Sequence, residues 1–207
     1  MNDISEAQTS ESGMHLKEKL RAEDAKSALL TTVYGIIGAF LFAMVYSIPM
    51  PYTMVSLIKF GLSPALAIIA VVGAIRGPVA GFLSGYLGLA LYDFIFFNAI
   101  VSMTLPALSY GVLGLIVGMA SYDFTNGRSL IKLSILSAIG LIFTALFAVV
   151  FGLFVVNHSV LLELGFVLLP MFTVGIPSVI LITPILARFW HMASTRITIP
   201  CIKNRIL

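Results

Sequence analysis

Residues 28–46, ALLTTVYGIIGAFLFAMVY, hold no charged side chain. Stretches of this kind return along the rest of the chain. A run of about 20 mostly apolar residues crosses the hydrocarbon of a bilayer as a helix, and several such runs exceed what one globular core can bury. Hydrophobic residues are 59% of the 207 and charged residues 10%, whereas soluble domains carry about a quarter charged residues. The chain therefore reads as an all-α integral membrane protein. Six transmembrane helices are predicted, at about 28–46, 63–75, 79–97, 104–121, 130–156 and 164–190. The first ends at the prolines of 47-SIPMPY-52, which break helical geometry.

Three regions follow: a polar N-terminal segment over 1–27, a six-helix membrane domain over 28–190 and a basic tail over 191–207. The N-terminal segment mixes acids and bases with no apolar centre, unlike a cleavable signal peptide, and suits a solvated or membrane-surface helix. With six spans both termini share one side. That side collects eleven of the twelve Lys and Arg residues, and only Lys59 lies opposite. Positive charge accumulates in cytoplasmic loops, so both termini are assigned to the cytoplasm. The expected location is the cell membrane, as a multi-pass protein.

Small residues recur at helical spacing. Gly35, Ala39 and Ala43 form one stripe on the first span, and Gly77, Gly81 and Gly85, with Ser84 and Gly88, form another on the third. In lipid, close backbone approach through small residues supplies much of helix association. The third-helix stripe reads as internal packing; the first-helix stripe is equally suited to another subunit. Tyr86 and Asp93 are expected nearly opposite the third-helix stripe. Pro170, Pro177 and Pro184 recur every seven residues on the last span, each freeing a carbonyl, with Thr173 and Thr183 as candidate donors to the freed groups.

Asp93 lies about 22 Å along its helix from Pro78, at 1.5 Å per residue, which places it in the outer part of the bilayer. An acid inside a span is costly and usually faces a cavity or a partner. Near the same boundary come Asn98, Tyr110, Tyr46, Tyr52, Asn157, His158 and Glu163, whereas the inner half of the spans is almost wholly apolar. A one-sided, outward-facing site fits this distribution better than a channel. Together with Tyr86, these residues are the candidate substrate-binding set. No HExxH, GxSxG, phosphate-loop or Cys/His metal pattern occurs, so no catalytic residue, metal ligand or cofactor is expected. The single Cys201 excludes a disulfide framework. No nucleic-acid partner is expected.

The segments 47-SIP-49, 77-GPVAGFLSGYLGLALYD-93 and 109-SYGVLGLIVG-118 resemble the substrate-specific subunits (S components) of energy-coupling factor (ECF) importers. The likeness is closest to a branch with the pattern GPxxGFxxGxxGxxxxD, which names no substrate, and covers about Gly35 to Ala120. It implies six helices, a vitamin- or cofactor-sized substrate near the outer face, and a complex with a transmembrane coupling protein and two ABC-type ATPases. It also implies that Gly35, Ala39 and Ala43 dock the coupling protein and that Asp93 is the acid closing the glycine motif.

The expected function is thus a substrate-binding membrane subunit that borrows ATP hydrolysis from its partners. The alternatives are a scaffold membrane protein without a ligand and an integral membrane enzyme. For the enzyme, the inner boundary offers only Asp123 with Asn126.

Overall fold

A computed structural model describes residues 25–48, 52–55, 58–98, 104–155, 157 and 159–196. Helix α1 (Ala25–Tyr46) leads to a two-stranded antiparallel hairpin, β1 (Tyr52–Val55) and β2 (Ile58–Gly61). Helices α2 (Pro64–Arg76), α3 (Pro78–Phe97), α4 (Thr104–Gly118) and α5 (Gly127–Phe154) follow. The chain is helical again from Val160, with π-helical segments at Glu163–Leu168 and Met171–Gly175, before α6 (Ile176–Arg196). Four helices are long and apolar enough to cross a membrane: Ser27–Tyr46, Pro78–Phe96, Gly127–Phe154 and Met171–Thr195. Pro64–Arg76 and Ala107–Gly118 are apolar but shorter.

These helices lie where the apolar runs put them, with shifted ends. The last helix continues to Arg196, so the tail boundary at 190 falls inside it. The proposed N-terminal surface helix lies almost wholly outside the described residues. The hairpin was not anticipated, because 52-YTMVSLIKFG-61 is too apolar to read as a loop and too short to read as a span.

Local chemistry sets the corners. Between α2 and α3 the chain turns on one residue: Gly77 has φ 101°, a conformation side chains disfavour, and its N–H donates to the Gly73 carbonyl at 2.8 Å. Pro78 then opens α3, where its missing N–H costs nothing. Between α4 and α5, Asp123 Oδ1 accepts from the Thr125 N–H at 3.0 Å and the Thr125 hydroxyl at 2.6 Å. The Asn126 side chain caps α5 by accepting from the Arg128 N–H at 3.1 Å. The hydrogen bonds from Thr125, helped by the field of His191 on α6, hold the Asp123 carboxyl below its ordinary range.

Helix α3 is central, packed on α1, α2 and α4. A Cβ on Gly81 would strike the backbone of Gly114 in α4, and the reverse holds. A Cβ on Gly73 in α2 would stand 2.5 Å from the Gly114 carbonyl oxygen, so three helices meet backbone to backbone. The α3 stripe is therefore internal, but it serves two partners: Gly81 and Gly85 admit α4, while Gly88 admits Phe42 of α1.

The residues of the α1 stripe are buried within the chain as well. Ala39 and Ala43 are buried, and a Cβ on Gly35 would lie 2.9 Å from Leu83 Cβ of α3. Phe40 and Leu41 of α1 face outward, whereas Phe42 is buried against α3. Small residues fall on the inner side because that is where another backbone comes closest.

The proline-rich helix is held from outside. Pro184 frees the carbonyl of Ile180, and Ser134 of α5 donates to it at 3.1 Å, sharing that proton with the Leu130 carbonyl. Ser178 donates to the Val174 carbonyl and accepts from the Ser63 N–H at 2.6 Å, tying the start of α2 to α6. Of the two expected donors, Thr173 donates to the Leu169 carbonyl at 3.0 Å. The Thr183 hydroxyl is buried without a partner among the described residues.

Candidate functional site

The C-terminal ends of α1 and α3 and the N-terminal half of α4 bring aromatic rings together at the end of α3 that carries Asp93. Phe42 and Tyr46, one turn apart on α1, stack at 5.2 Å between ring centres. Tyr92 of α3 meets Tyr46 edge-on at 4.7 Å, and Tyr110 of α4 approaches Phe42 at 5.9 Å and Tyr46 at 6.4 Å. Phe96 extends the row, 4.9 Å from Tyr92. The Tyr110 and Tyr46 rings meet edge-on, and Asp93 follows Tyr92 in the chain, half-buried, at the same end of α3.

The glycine stripe makes this assembly possible. Gly85 lets the backbone of α4 approach at Tyr110, and a Cβ on Gly88 would stand 2.7 Å from the Phe42 ring. Packing and polar groups are thus not separate devices on opposite faces of α3, as the helical angles alone suggested. The two helices drawn in by the glycines carry the tyrosines that flank the acid. Edge-to-face and offset rings of this kind contribute about 0.5–1.5 kcal/mol per pair beyond area burial. A half-buried carboxylate beside phenols can accept hydrogen bonds from hydroxyl or N–H groups of a ligand.

Of the residues predicted for the site, Asp93, Tyr46 and Tyr110 come together. Tyr86 is about two turns back along α3 from Asp93, stacked on Phe82 at 6.0 Å. Asn98 is the exposed left-handed cap of α3, with φ 48°. Asn157 is exposed with φ 56°, a conformation that Asn tolerates well. Tyr52 opens β1, paired with Gly61. Glu163 is buried at the first π-helical segment, its carboxylate against Gly152 of α5. His158 lies outside the described residues. Tyr92 and Phe42 were missed: Tyr92 sits next to the acid in sequence, and Phe42 one turn before Tyr46, but neither spacing marks a site without the partner helices.

Four helices long and apolar enough to cross a membrane, with a carboxylate and a tyrosine cluster at one end, suit a membrane-embedded binding protein. The family model described as "ECF-type riboflavin transporter, S component" matches residues 26–189, and the chain belongs to that family. It is therefore a substrate-binding membrane subunit of an ECF transporter and not an enzyme. S components work with an ECF transmembrane coupling protein and ATPases. The match extends through α5 and most of α6, beyond the stretch carrying the sequence resemblance. No solved structure matches the chain.

Proposed function

We propose that the chain captures riboflavin at the outer face of the cell membrane and delivers it through a complex with a coupling protein and two ABC-type ATPases. The observation that carries this reading is the ring cluster Phe42–Tyr46–Tyr92–Tyr110 with Asp93 beside it. Riboflavin joins a flat three-ring system to a chain of hydroxyl groups. The rings can take the flat part, and the Asp93 carboxylate can accept from the hydroxyls. The vitamin named by the family supports the choice of ligand.

Six membrane crossings belong to the same proposal. Helix α2, at 13 residues, is about 20 Å long at 1.5 Å per residue, short of a hydrocarbon layer about 30 Å thick. The preceding hairpin makes up the remaining depth. Both termini then face the cytoplasm with eleven of the twelve Lys and Arg residues. Asn98, Asn157, His158, Glu163, Tyr52 and Tyr86 remain candidates for the rim and floor of the site. Because the inner half of the spans offers no polar path, the ligand is exposed inward by movement of the whole body.

The test is flavin fluorescence, which stacked phenols quench. Titrating purified protein with riboflavin should quench emission with one site per chain. Tyr46→Ala or Tyr110→Ala should weaken binding about tenfold, the loss of one aromatic contact. Absence of quenching, or equal affinity in both variants, rejects the reading.

A further inference from the structure

At the end of the molecule opposite the tyrosine cluster, one cation has no counter-charge among the described residues. Arg76 closes α2 half-buried, its guanidinium 6.0 Å over the Tyr34 ring of α1. Its Nε atom is buried with no hydrogen-bond partner, and no ion pair joins Arg76 to an acid among the described residues. Asp123, in the α4–α5 turn, is engaged with Thr125. Asp93 stands near the far end of α3. A guanidinium drawn partly out of water and stacked on a ring keeps forked N–H donors for an anion, and a phosphate matches that fork.

The surroundings indicate what kind of phosphate. Helices α1 and α6 both pack on α2 but not along one another. They meet at the Tyr34–Trp190 ring contact, 6.2 Å between centres. Helix α2 is buried almost all round, but Pro64, Ile68 and Ile75 are partly uncovered. With Val71 between them, these residues form one stripe at helical spacing. The stripe ends at Arg76, and Ile37 of α1 and Phe189 of α6 are exposed on the helices packed to either side of α2. Helix α3, with 20 residues, is about 30 Å long, the thickness of the hydrocarbon. Arg76, two residues before its start, therefore lies at headgroup depth, and Trp190 is an interfacial anchor of the usual kind.

We propose that the cleft between α1 and α6 over α2 binds one anionic phospholipid, its phosphodiester held by Arg76 and an acyl chain lying on the Ile68–Ile75 stripe. Charge complementarity selects the headgroup, since Arg76 has no acidic partner among the described residues and the α2 stripe beside it is apolar. The uncovered side chains of Ile68 and Ile75 give the acyl chain a purely apolar floor.

The test is native mass spectrometry of the purified full chain with added phosphatidylglycerol or phosphatidylcholine, alongside thermal unfolding. One phosphatidylglycerol should be retained per chain and raise Tm, with phosphatidylcholine retained about fivefold less, the effect of one basic contact at the surface. Arg76→Gln should erase that preference and Arg76→Lys should keep most of it. Ile68→Trp should reduce retention of both lipids by filling the cleft, without touching the cation. Riboflavin quenching should be unchanged in all three variants, which separates failure of this site from failure of the flavin site. Equal retention of both lipids by the unaltered protein overturns the proposal, as does wild-type phosphatidylglycerol retention by Arg76→Gln. The proposal also falls if inorganic phosphate raises Tm as much as the lipid does. It falls again if Arg76→Gln keeps its lipid but loses co-purification with the coupling subunit, which would assign the arginine to a protein carboxylate.

Discussion

Gly81 of α3 and Gly114 of α4 lie backbone against backbone, so close that a single methyl on either would occupy the other's peptide group. Gly73 of α2 reaches the same point. Gly114→Ala must therefore push α4 away from two helices at once. Overpacking of this kind costs about 1–3 kcal/mol, and because the clash is with backbone, no rotamer relieves it. Thermal unfolding in detergent should show a clear fall in Tm. Flavin affinity should fall as well, since Tyr110 rides on the displaced helix.

Asp93→Asn keeps the shape of the site and removes its charge. If the carboxylate accepts from ligand hydroxyls, affinity should fall by roughly ten- to a hundredfold, in line with about 1.5–3 kcal/mol for charged hydrogen bonds. Folding should be little affected, because Asp93 is only half-buried. Equal riboflavin Kd values for the two proteins would remove Asp93 from the site.

Ser134 and Pro184 form a testable pair. Ser134→Ala leaves the Ile180 carbonyl, already deprived of its N–H by Pro184, without the hydroxyl that approaches it. A cost of about 0.6 kcal/mol is expected, the average for hydrogen bonds between membrane helices. In a Pro184→Ala background the restored N–H can take that carbonyl, so the Ser134→Ala penalty should shrink. A double-mutant cycle of unfolding free energies measures the difference, and additive effects would contradict the pairing.

The Glu163 carboxylate occupies the space that a side chain at Gly152 would need. Gly152→Ala should destabilise the outer contact between α5 and the π-helical segment, and Glu163→Ala should relieve most of that loss. A cycle on Tm reads the coupling. Failure of the second change to rescue the first would place the strain elsewhere.

Asp123 is held below its ordinary value of 3.8 by the Thr125 hydrogen bonds. A depressed carboxyl contributes order that is fully present above its unfolded value and lost as pH falls through the folded one. The α4–α5 turn should therefore be unchanged between about pH 5 and 8 and loosen only in stronger acid. Hydrogen exchange at the Thr125 and Ser129 amides follows this, and loosening near neutral pH would contradict it.

The sequence by itself determined where the helices lie, because apolar run length and the breakers at 47-SIPMPY-52, Gly77–Pro78 and 121-SYDFTNGRS-129 act locally. It also picked out Asp93, since an acid among apolar residues is conspicuous without knowledge of its neighbours. The tertiary structure decided which residues share a site. Tyr92 and Phe42 entered it, and Asn98 and Asn157 became left-handed backbone positions. Gly35, Ala39 and Ala43 are buried in the single chain, with Gly35 against Leu83 of α3. A stripe of small residues states only that a backbone comes close; which backbone comes close depends on how the other helices are arranged. The freed Ile180 carbonyl was legible from Pro184, but its donor was not, because Ser134 is 46 residues away in sequence and adjacent only after α5 and α6 pack.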